Sequence, residues 1–201
     1  LTASLGFTEP DKLEITLANV LEKVINDEEM EPDYGILKHD EGIDLMPGNI
    51  ELSGLEVSLV NVMSRELVMR SYIGQVRESY DYILIDCMPS LGMITINAFA
   101  CADSILMPVQ AAYLPVKGLE QLIKTIGRVK RQINPKLEIE GILLTMVDSR
   151  TNYARDISAL LIENYGNAEI SAEGVSIYQH DPKGKVANAY QSLTEEVLRD
   201  E

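Results

Sequence analysis

Two cysteines, two histidines and 17 basic residues are the scarcities of this 201-residue chain. Cys87 and Cys101 both stand in apolar surroundings, which reads as buried thiols in a reducing, cytoplasmic context. Neither has the spacing of a cluster ligand. His39 and His180 are isolated, which argues against a histidine metal site, and no Ser–His–Asp arrangement can be assembled. Lys and Arg are outnumbered by 32 acidic residues, giving a net charge of −15 and removing any overall basic footprint for nucleic acid. The acids cluster in "NDEEMEPD" (26–33), "HDEGID" (39–44) and "TEEVLRDE" (194–201), so a local basic patch elsewhere stays open. No apolar run approaches the ~18 residues of a membrane span. Signal peptide, repeats and low-complexity segments are not visible. Leu1 rather than Met at the start predicts a fragment of a longer protein.

What is present is enough apolar material for a core: 46% hydrophobic residues with 24% charged, at a length that suits one domain. Apolar residues at helical spacing predict helices over 12–25, 93–101, 116–132, 151–165 and about 184–199. A further helical stretch is expected over 53–78, with Ser53 as its N-cap. Residues 26–42 read as a loop, and 42–49 as a short strand entering a turn. Wholly apolar strands are expected at 82–86, 104–109 and 139–147. Strands without in–out alternation, separated by helices of 10–20 residues, predict an α/β fold with a parallel sheet and helices on both faces. One place is thin: after 151–165 the chain runs "GNAEISAEG" with no strand signal.

Ligands of open parallel sheets sit beyond the carboxyl ends of the strands. Three such ends carry polar groups: Asp86 with Pro89, Ser90 and Gly92; Gln110; and Thr145 with Asp148, Ser149, Arg150 and Asn152. An acid at the end of an apolar strand is what a nucleoside triphosphatase uses to hold magnesium, often through water. The same acid serves equally well as the N-cap of the next helix, and position alone leaves the two readings balanced. On 116–132, Lys117, Lys124, Arg128 and Arg131 fall on one helix face opposite Leu119, Leu122, Ile123, Ile126 and Val129. That is either an ordinary solvated face or part of a phosphate-binding patch.

The stretch "YDYILIDCMPSLGMITINAFACADSILMPVQAAYLPVKGLEQL" (80–122) resembles the ParA family of partition ATPases, the deviant-Walker branch of the P-loop proteins. "GILLTMVDSRTNYARDI" (141–157) and "EISAEGVSIYQHDPKGKVANAYQSLTEEVL" (169–198) are similar to later family motifs, in order and at near-family spacing. "LTASLGF" (1–7) resembles the segment just after the family's "DADPQG". Nothing in the chain matches the family's phosphate loop, "KGGVGKTT". A further family strand and adenine-side loop lack a counterpart near 166–168.

The resemblance implies a single P-loop-type ATPase domain that binds ATP and Mg²⁺. It makes Asp86 the acid that holds magnesium through water. It places Met146 and Asp148 at the adenine, and Pro89, Ser90 and Gly92 in the turn that senses the γ-phosphate. Cys87 and Met88 replace the family's usual threonine and proline. Arg150 matches a family residue for non-specific DNA contact; an ordinary helix-start arginine paired with Asp148 or Asp156 is the alternative. The implied function is ATP-dependent partition of a chromosome, plasmid or mobile element by a cytoplasmic, nucleoid-associated homodimer. It would bind DNA non-specifically and be stimulated by a ParB-like centromere-binding partner. Membrane recruitment is not implied, because the tail "SLTEEVLRDE" is acidic. Without its phosphate loop the chain is expected to be inactive alone. The alternative is a degenerate, non-hydrolysing paralogue acting as a dimerisation or regulatory module.

Overall fold

A computed structural model describes residues 1–31, 33–110, 115–145, 168–170 and 185–198. The chain divides into two compact units, Leu1–Ala102 with Arg131–Pro135, and Asp103–Lys130 with Lys136–Glu201.

The first unit is mainly helical. Helix α1 (Leu17–Ile25) starts where Thr16 leaves helical geometry, its backbone N–H donating to Asn19 Oδ1 at 2.8 Å. The expected helix from residue 12 is therefore shorter, and Pro10–Lys12 forms a separate 3-10 turn. Inside the expected loop 26–42 lies one arm of a hairpin: β1 (Leu37–Lys38) pairs antiparallel with β2 (Asp44–Leu45). The expected helical stretch 53–78 is broken. Helix α2 (Glu51–Ser58) runs into a 3-10 turn at Leu59–Asn61, and α3 (Val68–Val76) begins anew. Ser64 between them has a positive φ of 52°, which an unbroken helix cannot accommodate. Ser53 lies inside α2, and Ile50 takes the N-cap position. Helix α4 (Met93–Cys101) has the expected bounds.

The core of this unit gathers Val20, Leu21, Leu55, Leu59, Val68, Met69, Tyr72, Val76 and Ala98 from all four helices. Burial of such side chains at about 1.5–3 kcal/mol each is its main stabilising term. Two buried asparagines organise the backbone around it. Asn97 is 1% exposed; its Nδ2 donates to the carbonyls of Arg65 (2.7 Å) and Met93 (3.0 Å), and its Oδ1 accepts from the Met69 N–H (3.0 Å). Asn134 Nδ2 donates to the carbonyls of Phe99 and Ala102, satisfying acceptors that the end of α4 would otherwise leave open.

The expected strand at 82–86 is not a strand. The segment belongs to no sheet among the described residues. Leu84 is 90% exposed, whereas Ile85 packs against the core. Apolar β-formers favour a strand, but a strand also needs a hydrogen-bonded neighbour.

The second unit carries the parallel sheet. Strand β3 (Ser104–Gln110) pairs parallel with β4 (Glu138–Thr145), which pairs parallel with β5 (Ala168–Ile170). The "GNAEI" stretch thus supplies a three-residue strand where no strand signal was visible. Between β3 and β4 runs α5 (Pro115–Gln132), the crossover that parallel strands require. Helix α6 (Lys185–Val197) covers most of the last expected helix; 151–165 lies outside the described residues. The architecture is α/β with a parallel sheet, as expected.

Candidate functional site

The N-terminal segment is tied to the loop after β2. Thr2 is 7% exposed; its Oγ1 accepts from the Gly48 N–H at 3.1 Å and donates to the Gly48 carbonyl at 3.2 Å. Leu1 then lies against the end of the 82–86 segment, with its amino nitrogen 3.8 Å from Asp86 Oδ2. Two stretches that resemble family motifs, 1–7 and 80–92, thus meet at Leu1 and Asp86. Asp86 faces solvent, its side chain 63% exposed. It caps no helix, because α4 begins only at Met93 and its N-cap is Gly92. That removes the capping alternative. A solvent-facing hard oxygen donor fits a magnesium ion, which keeps most of its water and takes one or two protein carboxylates.

Cys87 is exposed rather than buried, and Cys101 is intermediate, correcting the expectation of two buried thiols. The reason is that residue 87 follows a segment that belongs to no strand, which leaves it at the surface. Its Sγ donates to the Ile85 carbonyl at 3.7 Å. Crowding of the sulfur by protein, and then the neighbouring Asp86 charge, push the thiol pKa above its ordinary value.

The turn after Asp86 is tied into α4. Ser90 N–H donates to the Met88 carbonyl at 2.8 Å, and Thr95 Oγ1 reaches back to the Ser90 carbonyl at 2.6 Å. Gly92 abuts the Glu56 carboxylate, whose Oε1 accepts from the Ile94 N–H at 3.4 Å. The structure therefore brings Asp86, Pro89, Ser90 and Gly92 onto one segment that leads directly into a helix. Met146, Asp148 and Arg150 lie outside the described residues. Lys124, Arg128 and Arg131 are exposed on α5, opposite buried Leu119, Ile126 and Val129. Lys117 belongs to the same helix. No ion pair engages Lys124, Arg128 or Arg131 among the described residues.

Thr95, Asn97, Asn134 and Glu56 were not singled out from sequence. A lone asparagine inside the apolar run of α4 was the available signal for Asn97, since a buried polar residue is the informative exception. Glu56 carried none, because it is one acid among 32.

The parallel sheet of the second unit, with its crossover helix α5 between β3 and β4, defines the class as α/β. A family model described as an AAA domain matches residues 1–139. The sporulation initiation inhibitor protein Soj of Bacillus subtilis is 39% identical over 170 residues, covering 78% of this chain and 67% of that protein. The chromosome partitioning protein ParA of Myxococcus xanthus is 39% identical over 170 residues, covering 78% of this chain and 60% of that protein. A crystal structure of cobyrinic acid a,c-diamide synthase from Mycobacterium smegmatis, with bound ADP and magnesium, superposes with a TM-score of 0.84. It is 33% identical and covers 99% of this chain and 77% of that one. The chain belongs to the ParA/Soj-like family of P-loop ATPases. It spans 67% and 60% of the lengths of the two partition proteins. No helix among the described residues is long and apolar enough to cross a membrane.

Proposed function

We propose that this chain is part of a magnesium-dependent ATPase that partitions DNA. The observation that carries the reading is Asp86: an exposed carboxylate followed at once by a turn locked to α4. Asp86 holds the hydrated magnesium of a bound nucleotide. The ion neutralises phosphate charge and orients the β- and γ-phosphates when bound. Pro89, Ser90 and Gly92 register the γ-phosphate, and Thr95 transmits their position to α4. Met146 and Asp148 lie at the adenine. The 201 residues are read as one ATPase domain that lacks a family strand and adenine-side loop near 166–168.

In this reading ATP closes two copies into a homodimer. The combined basic faces, from Lys117, Lys124, Arg128, Arg131 and Arg150, meet DNA phosphates without sequence preference. A ParB-like partner then stimulates hydrolysis, and the ADP form releases DNA in the nucleoid of the cytoplasm. The synthase resemblance ranks second, because the partition relatives are closer in sequence. The non-hydrolysing alternative draws on the lack of any "KGGVGKTT" match in these 201 residues. The test is DNA binding by the full-length protein with ATP and with ADP, each at two salt concentrations. Tight, salt-sensitive binding with ATP and weak binding with ADP is expected. Equal binding in both nucleotides, or none, overturns the switch.

A further inference from the structure

Helix α4 is unusual at its start. Its N-cap is Gly92, its first turn holds no acid, and no side chain of its own caps it. A helix normally satisfies its first N–H groups with Ser, Thr, Asp or Asn at the N-cap. Here the acceptor comes from another helix: Glu56, in α2, takes the Ile94 N–H at 3.4 Å. A carboxylate at that end is also favoured by the helix dipole. Gly92 lies against the same carboxylate: a Cβ built there would fall inside it, so a side chain at position 92 would push the Glu56 carboxylate aside. On the other side, Thr95 holds the Ser90 carbonyl. The Ser90–Gly92 segment is therefore fixed from two directions, one of them α2.

We propose that Glu56 is a positioning residue for the nucleotide-sensing turn. By capping α4 from α2 and filling the space beside Gly92, it holds residues 89–92 where a γ-phosphate would meet them. The proposal rests on the reading of 89–92 as that turn.

The experiment compares the full-length protein with Glu56→Gln, Glu56→Ala, Gly92→Ala and the Glu56→Ala/Gly92→Ala double variant. It measures kcat and KM for ATP, and hydrogen exchange at the Ile94 amide without nucleotide. Glu56→Ala should lower kcat about tenfold, as a misplaced turn would, with KM near that of the unaltered protein. It should also speed Ile94 exchange. Glu56→Gln keeps an acceptor of the same shape and should stay within about twofold in kcat, with Ile94 protected. Gly92→Ala alone should be impaired, and the double variant no worse than the poorer single variant, because the added methyl enters vacated space. Additive losses, or unchanged Ile94 exchange in Glu56→Ala beside normal ATP turnover of the unaltered protein, overturn the clamp and leave the proposed function standing. Absence of ATP turnover in the unaltered protein overturns the proposed function, and the positioning role with it.

Discussion

At the residue scale, two polar side chains add specific hydrogen bonds to a fold held chiefly by apolar burial. Asn97 spends all of its side-chain polarity on backbone groups of Arg65, Met69 and Met93, at 1% exposure. Asn97→Ala should cost about 2–4 kcal/mol in denaturant unfolding, because it strands the Met69 N–H and opens a cavity. A loss below about 0.5 kcal/mol, the range of ordinary surface changes, would contradict that. Tyr80 donates to Asp44 Oδ2 at 2.7 Å, and Lys38 Nζ meets the same oxygen, so the β1–β2 hairpin is held to the 3-10 turn at Arg77–Ser79 that follows α3. Lys38 first, then Tyr80, hold the Asp44 carboxyl below its usual range. The Asp44 hydrogen bond, and after it burial, push Tyr80 up to about 12. The raised pKa stabilises the fold fully below the unfolded-state value near 10.0, and the contribution is lost as pH rises through about 12. The stability gap between the unaltered protein and Tyr80→Phe should therefore hold steady up to about pH 10 and then close, as read by unfolding at a series of alkaline pH values. Asp44 has the opposite sign: its contribution is lost as pH falls through its depressed pKa.

At the element scale, legibility followed the kind of signal each segment carries. Helix α4 and strand β3 were readable because local periodicity and final environment agree. The 53–78 stretch was not, because its periodicity survives the break at Ser64, where the backbone changes hand. Residues 82–86 failed differently. Their composition is that of a buried strand, yet strand formation depends on a neighbour that no local pattern specifies. For Asp86, position alone left magnesium and helix cap balanced, and the resemblance to family motifs decided between them; Glu56 carried no signal, because its contact with α4 is remote in sequence. Helix α5 gives the prediction at this scale. Lys124, Arg128 and Arg131 are exposed, so replacing all three with Ala should leave the thermal midpoint nearly unchanged. If the face contacts DNA phosphates, the slope of log affinity against log salt should fall by about 2–3, one near 0.9 per lost contact. An unchanged slope would mark it as a solvated face only.

At the scale of the whole molecule, family membership and site geometry point the same way. An acidic protein of net charge −15 gains nothing from binding DNA as a lone copy, since its overall field repels phosphate. A nucleotide-driven pairing that concentrates a basic face would resolve that conflict, and Asp86 is where the nucleotide's metal would couple to it. The most direct measurement is magnesium-dependent ATP turnover by the full-length protein and by its Asp86→Asn variant, alongside their thermal midpoints. Because Asp86 is 63% exposed and caps no helix, the variant should fold with an unchanged midpoint. Its turnover should fall at least about a hundredfold, as loss of a charge-stabilising group does. Turnover within about twofold of the unaltered protein would contradict the assignment of Asp86 as the magnesium-holding acid.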